Sequence, residues 1–156
     1  MKKSLIYISI FILLSKFLLS VEEAYTNDLT KRIKILINKL DSTIPISEQE
    51  YAKSELAKIG KDGLQELHKY LLKDKRTYVR VQIAFILGAI KDESSIKFLA
   101  EAGKSQYKAL TKACVISLGK IGGEKSLEAL KKLRKFTKDE EIIQIIDDNI
   151  KKLSGE

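Results

Sequence analysis

The feature that most constrains this chain is a self-similarity at a spacing of 31 residues. Leu56-Ala57-Lys58-Ile59-Gly60 superimposes on Leu87-Gly88-Ala89-Ile90-Lys91, and again on Leu118-Gly119-Lys120-Ile121-Gly122. Each stretch is followed by a polar turn and a second apolar pattern: Leu64/Leu67, Ile96/Leu99 and Leu127/Leu130. Ile150-Lys151-Lys152-Leu153 takes up the phase once more, 32 residues after Leu118. A period of this length holds two helices and their turns. One helix pair cannot bury its apolar face alone, so stacked neighbours must build a continuous core. Beyond residue 26 no run alternates in the way of a half-buried strand. The fold class expected is all-α, a short α-solenoid of three to four helix pairs.

The apolar spacing predicts helices over 27–40, 47–59, 62–73, 77–90, 93–104, 107–121, 124–136 and 139–153. Thr26 or Asn27 would cap the first of these. Pro45 then breaks the chain, and Ser47 with Glu50 three residues later reads as a capping box. Gly60 and Gly122 fall where helix C-caps are expected. Gly88 and Gly119 fall inside helices, at a cost of about 1 kcal/mol each against Ala. Close helix–helix contact is the expected reason for them.

The chain opens Met1-Lys2-Lys3 and runs apolar from Leu5 to Val21, interrupted by Lys16. A short cationic start before an apolar stretch is the secretory-signal pattern. As a helix the apolar run spans about 26 Å, short for a hydrocarbon core of about 30 Å. Leu5–Leu14 suits the apolar core of a signal. The cleavage site is the weak point, because Leu18 stands two before Ser20 and Glu22 two before Ala24. The leading expectation is therefore a division into residues 1–20, a signal peptide or a membrane anchor, and 21–156, a helical repeat domain exported to the periplasm or medium. The alternatives are retention as an N-terminal anchor and burial as a core helix. The last is weakened because the stretch is apolar on every face.

Composition removes most chemistry. With 156 residues there is room for one domain. A single Cys forms no internal disulfide, and one Cys with one His builds no zinc site. No phosphate-binding glycine loop or metal-loop carboxylate spacing occurs, and no catalytic residue, metal ligand or cofactor is expected. His68 reads as a partly exposed helix residue and Cys114 as a small core residue, with dimerisation through Cys114 as its alternative. Tyr51, Tyr70, Tyr78 and Tyr107 read as packing between units.

The formal net charge is +8, from 29 Lys and Arg against 21 Asp and Glu. Residues 1–20 hold three lysines and no acid, so without them the surplus falls to +5. That is ordinary for a soluble domain. One cluster stands out: Lys125, Lys131, Lys132, Arg134, Lys135 and Lys138 lie within 14 residues, with only Glu124 and Glu128 nearby. It reads either as a docking strip for an acidic partner or as a solvated helix face that the acidic last helix neutralises.

The stretch Val79-Arg80-x-x-x-Ala84-x-x-Leu87-Gly88-x-Ile90-x-Asp92, followed by Ser95-Ile96-x-x-Leu99, resembles the HEAT repeat in the short variant named after the bilin lyases. Leu110–Leu130 repeats it with Leu118-Gly119-x-Ile121-Gly122. The resemblance is close over 77–136 and degenerate over 47–76 and 139–153. The proline common in the turn of this family is absent from every unit, and the Arg at the second position appears only as Arg80, with Thr111 in its place in the next unit. The resemblance implies an architecture in which second helices line a concave face, and it implies nothing of bilin chemistry. On that face Lys69, Lys97, Glu101, Lys131, Lys132 and Lys135 are the expected partner-binding residues. The function expected is a non-catalytic protein–protein interaction module, an adaptor or assembly scaffold in the cell envelope, with an oligomer possible. The alternatives are a nucleic-acid-binding module using the strip at 125–138 and an accessory subunit of an enzyme complex.

Overall fold

A computed structural model describes residues 2–155, with side chains from Ile12 onward. The charged start and the apolar signal core as far as Phe11 lie outside the described side chains. The helices are α1 (Lys2–Asn38), α2 (Ile46–Ile59), α3 (Leu64–Lys73), α4 (Thr77–Ile90), α5 (Ile96–Ala102), α6 (Lys108–Ile121), α7 (Gly123–Phe136) and α8 (Glu140–Ser154), with no strand among the described residues. Short 3₁₀ turns at Gly60–Gly63 and Glu93–Ser95 lead into α3 and α5.

The helices form two layers. In one, α2, α4, α6 and α8 pack side by side; in the other, the C-terminal part of α1 is followed by α3, α5 and α7. Across the layers α1 packs on α2, α3 on α4, α5 on α6, and α7 on both α6 and α8. In chain order three helix pairs, α2/α3, α4/α5 and α6/α7, stand between α1 and α8. This is the α-solenoid the repeat demanded.

The 31-residue register is stricter in space than the apolar pattern suggested. In the first layer Ala52, Ile83 and Cys114 are fully buried, as are Leu56, Leu87 and Leu118. In the second layer α3 buries Leu64, Leu67, His68 and Leu71, and α7 buries Ser126, Ala129, Leu130 and Leu133. Both sets have the i, i+3, i+4, i+7 spacing of one helix face. The pairing Leu67/Leu99 is therefore one residue out of step. Leu99 and Leu130 correspond to His68, and this is why His68 is buried and not partly exposed.

Turn chemistry follows the same register. Gly60, Lys91 and Gly122 all have positive φ, at 61°, 57° and 72°. The expected glycine caps are there, and Lys91 takes the equivalent positive-φ place with a side chain, at ψ 34° where the two glycines have ψ −129° and −167°. Position 49/80/111 is also constant in role while varying in residue. Gln49 Nε2 donates to the Ile44 carbonyl (2.7 Å), Arg80 Nε to the Leu71 carbonyl (2.7 Å) and Thr111 Oγ1 to the Ser105 carbonyl (3.1 Å). Each side chain holds a backbone carbonyl of the segment before its own helix, which otherwise lacks a partner.

The in-helix glycines mark close approach. A Cβ on Gly88 would lie 2.7–2.9 Å from Oγ, Cβ and Cα of Ser117, whose hydroxyl donates to the Ala84 carbonyl at 2.7 Å. A Cβ on Gly119 would run into the Asn149 amide. Two local expectations fail. The capping box at Ser47 does not form: α2 starts at Ile46 behind Pro45, with no side-chain cap. Thr26 and Asn27 cap nothing, because α1 runs unbroken through them, with Thr26 Oγ1 bonded back to the Glu22 carbonyl. Among the described residues no helix is long and apolar enough to cross a membrane.

Candidate functional site

The six residues expected to bind a partner are all exposed: Lys69 on α3, Lys97 and Glu101 on α5, and Lys131, Lys132 and Lys135 on α7. Because α3, α5 and α7 share one layer, their outer faces meet in two adjoining grooves. The larger, of about 570 Å³, lies between α5 and α7. Its apolar lining comes from Ile96, Ala100, Ala129, Leu133 and Phe136. Its charged lining comes from Lys97, Glu101, Lys104, Lys125, Glu128, Lys132 and Glu93. The second groove, between α3 and α5, is lined by Leu64, His68, Lys69, Leu72, Lys73 and Phe98 among others, and shares Lys97 and Ser94 with the first. Thus Lys97, Glu101 and Lys132 meet in one groove and Lys69 joins its neighbour, whereas Lys131 and Lys135 line neither.

Phe136 is the residue the sequence reading missed. It ends α7 and is 60% exposed, at the end of the larger groove. Its spacing was the available signal, since Ala129, Leu133 and Phe136 follow one another at i, i+4 and i+7 on one face of α7.

The charges are partly committed. Lys125 bonds Glu93 (2.7 Å), which holds its ammonium above the usual lysine range, and Lys104 bonds Glu101 (2.7 Å). Arg134 bonds Asp147 on α8 (2.8 Å). The basic cluster at 125–138 is therefore split between groove and flank. The acidic last helix answers one charge of the cluster, through Asp147, while its first acids are engaged elsewhere. Asp139 and Glu141 turn to α6 instead, where Lys108 reaches both (3.0 and 2.8 Å) and Lys112 reaches Glu141. Those two lysines hold Glu141 down at about 2. Among the described residues Lys131, Lys132, Lys135 and Lys138 make no ion pair.

No described group has the setting of a catalytic residue. His68 Nε2 lies 2.9 Å from Ser95 Oγ, and its ring stacks on Phe98 at 3.9 Å between centroids. Burial, helped by the Lys97 charge, pushes its pKa down. Lys97 itself sits 4.8 Å from the centre of the Phe98 ring. Cys114 is wholly buried and its thiol is pushed up to about 12 by burial, which makes it inert and out of reach of a second copy. Of the four tyrosines expected to pack between units, Tyr70 packs on the core, whereas Tyr51, Tyr78 and Tyr107 are exposed, Tyr78 donating to Gln49 Oε1 (2.9 Å). No cluster of metal-binding side chains occurs among the described residues.

A family model of HEAT repeats matches residues 64–146, more than half of the chain and the whole of α3 to α7. No curated protein matches it. The matched segment holds both grooves and all but the first members of the 31-residue register, which lie on α2 and at its end. With its paired helices in two layers, the chain belongs to the HEAT repeat family.

Proposed function

We propose that the protein is a non-catalytic adaptor or scaffold that binds a protein partner through the layer of α3, α5 and α7, and that it acts in the cell envelope. HEAT repeats mediate protein–protein contact in general. The observation that carries the finer reading is the groove between α5 and α7. An apolar floor edged by charged groups is the composition of a protein interface, with a dry centre and a polar rim. Export is supported by the cationic start and the apolar run from Leu5 to Val21. It is supported further by α1, whose Leu13, Leu14, Phe17, Leu18 and Leu19 are more than half exposed. Such a surface suits a translocation channel or a bilayer better than water.

The test is site-specific photo-crosslinking in the native cell, with the reactive group at Lys97, at Phe136 or at Lys152 on the far side of α8. The expected result is one protein captured from the first two positions and absent from the third. Equal capture from all three, or none, would overturn the reading. The intact mass of the protein in each cell fraction tests export. A species beginning near Val21 outside the cytosol, or the full chain in the membrane, agrees with it, and full-length protein in the cytosol defeats it.

A further inference from the structure

We infer that the groove between α5 and α7 takes an acidic amphipathic helix of a partner protein. This rests on the adaptor reading and names the chemistry of its ligand. The two sides of the groove are neighbouring helices that line it with small residues, Ala100 on α5 and Ala129 on α7, and with aliphatic ones, Ile96 and Leu133. Small residues between two helices leave a furrow into which the apolar stripe of a third helix fits, with anchors at i, i+3, i+4 and i+7. Phe136, exposed at the end of the furrow, offers the large aromatic surface that commonly dominates such contacts.

The sign of the partner follows from which charges are already answered. Lys104 and Lys125 are held by Glu101 and Glu93 within the rim itself. What remains without an ion-pair partner among the described residues is Lys97 and Lys132 on the two sides, Lys73 in the adjoining groove, and Glu128 alone of the acids. Lys97 and Lys132 stand one on each wall, so a helix lying between them meets a cation on both flanks. Carboxylates flanking an apolar stripe complement that pattern, and complementarity of this kind sets partner choice and register. Nucleic acid is disfavoured by the same lining. Only Lys97 and Lys132 of its cations are without an ion-pair partner among the described residues, too few for a run of phosphates, and no arginine lines the groove.

The probe is a fluorescein-labelled synthetic helix with leucines along one face and glutamates on its flanks, titrated against the full chain by anisotropy. A matched helix with lysine in place of glutamate serves as the control. The expected result is saturable binding of the acidic helix only. The double variant K97E/K132E should weaken it by about tenfold or more, and Phe136→Ala by a similar factor. K151E/K152E, on α8, should leave it unchanged. All three variants alter exposed side chains, and circular dichroism checks that their helix content is intact. Equal binding of the two helices, no binding of either, or indifference to K97E/K132E would overturn the inference. Tighter binding of a DNA duplex, lost in K97E/K132E, would overturn it too. If the probe fails while crosslinks from Lys97 and Phe136 still capture one protein, only the acidic chemistry is lost and the adaptor reading stands. If both fail, both fall.

Discussion

Helix α4 and the N-terminal part of α1 pose the same problem to the folded chain and meet opposite fates. Both are apolar around most of their circumference. α4 runs Thr-Tyr-Val-Arg-Val-Gln-Ile-Ala-Phe-Ile-Leu-Gly-Ala-Ile, and seven of its fourteen residues are buried. It lies between α2 and α6 in its own layer and against α3 in the other. The α1 segment from Ile12 to Val21 is as rich in Leu, Ile and Phe, yet it touches no other helix, and its packed part begins only at Leu29. An apolar helix without an amphipathic stripe needs partners on several sides or a non-aqueous surrounding. The solenoid supplies partners to α4. The described apolar side chains of the α1 segment are left exposed, and this is the ground on which the export machinery or a bilayer is proposed as its setting.

The sharpest way to break this contrast is a matched pair of truncations. Leu87→Ala removes a fully buried side chain from the middle of α4 and should cost about 2–5 kcal/mol. Leu18→Ala, at a position 59% exposed on α1, should change stability by under about 0.5 kcal/mol. Urea denaturation of the two proteins decides it. A comparable loss from Leu18→Ala would mean that the α1 segment folds back onto the body.

The glycines sharpen the comparison from the side of packing. Gly88→Ala places a methyl group against the Ser117 backbone, where only movement of α6 can relieve it. Overpacking of this kind costs about 1–3 kcal/mol, and helix propensity returns about 1, so a net loss of up to about 2 kcal/mol is expected. Gly119→Ala meets only the Asn149 amide, which can swing aside by giving up its bond to the Ile145 carbonyl. That variant should be near neutral. Equal losses from the two would mean that α6 and α8 are locked as tightly as α4 and α6.

Lys91 and His68 test the register itself. Lys91 ends α4 at positive φ, as Gly60 and Gly122 end α2 and α6, and it alone of the three is left-handed in ψ as well. A left-handed residue with a side chain costs about 1–2 kcal/mol, and the greater freedom of an unfolded glycine takes back part of this. Lys91→Gly should therefore stabilise the protein by up to about 1 kcal/mol in the same urea measurement, and a destabilisation would break the equivalence of the three turns. His68 has a folded pKa below its unfolded value of about 6.5, chiefly from burial. Its stabilising contribution is present above pH 6.5 and is lost as the pH falls toward the folded pKa, because the unfolded chain takes up the proton first. His68→Leu, which restores the residue found at Leu99 and Leu130, should lose that part of the pH dependence between pH 7 and 5. An unchanged profile would place the titration elsewhere.

How much was legible divides along the same line. The period, the two-layer stack and the glycine caps could be read because they depend on residues repeated at one spacing. The family match over 64–146 agrees with that reading where the repeats are closest. The role of position 49/80/111 could not be read, because Gln, Arg and Thr share no type and do the same job only through geometry. His68 was misplaced by aligning leucines with leucines, which moved one helix by a residue. At the binding face the exposed lysines were found from helix phase. Which of them share a groove depends on how far apart α5 and α7 stand, and periodicity carries no such distance. Phe136 was passed over because an aromatic at a helix end looks like any other loose end until a groove is seen to stop there.

The smallest expected effect is also the cleanest test of the opening contrast. Removing residues 2–20 takes away a large apolar surface, yet that surface is exposed in its described part and contributes nothing to the core formed by Ile33, Leu36, Ile37 and Leu40 at the other end of α1. The melting temperature of the truncated protein should match that of the full chain within a degree or so, because among the described residues no buried side chain is lost. Solubility should rise, since the exposed leucines and phenylalanine are what would drive association. A fall of several degrees would mean that the apolar segment docks on the repeats in solution. The groove between α5 and α7 would then be the first place to look for it.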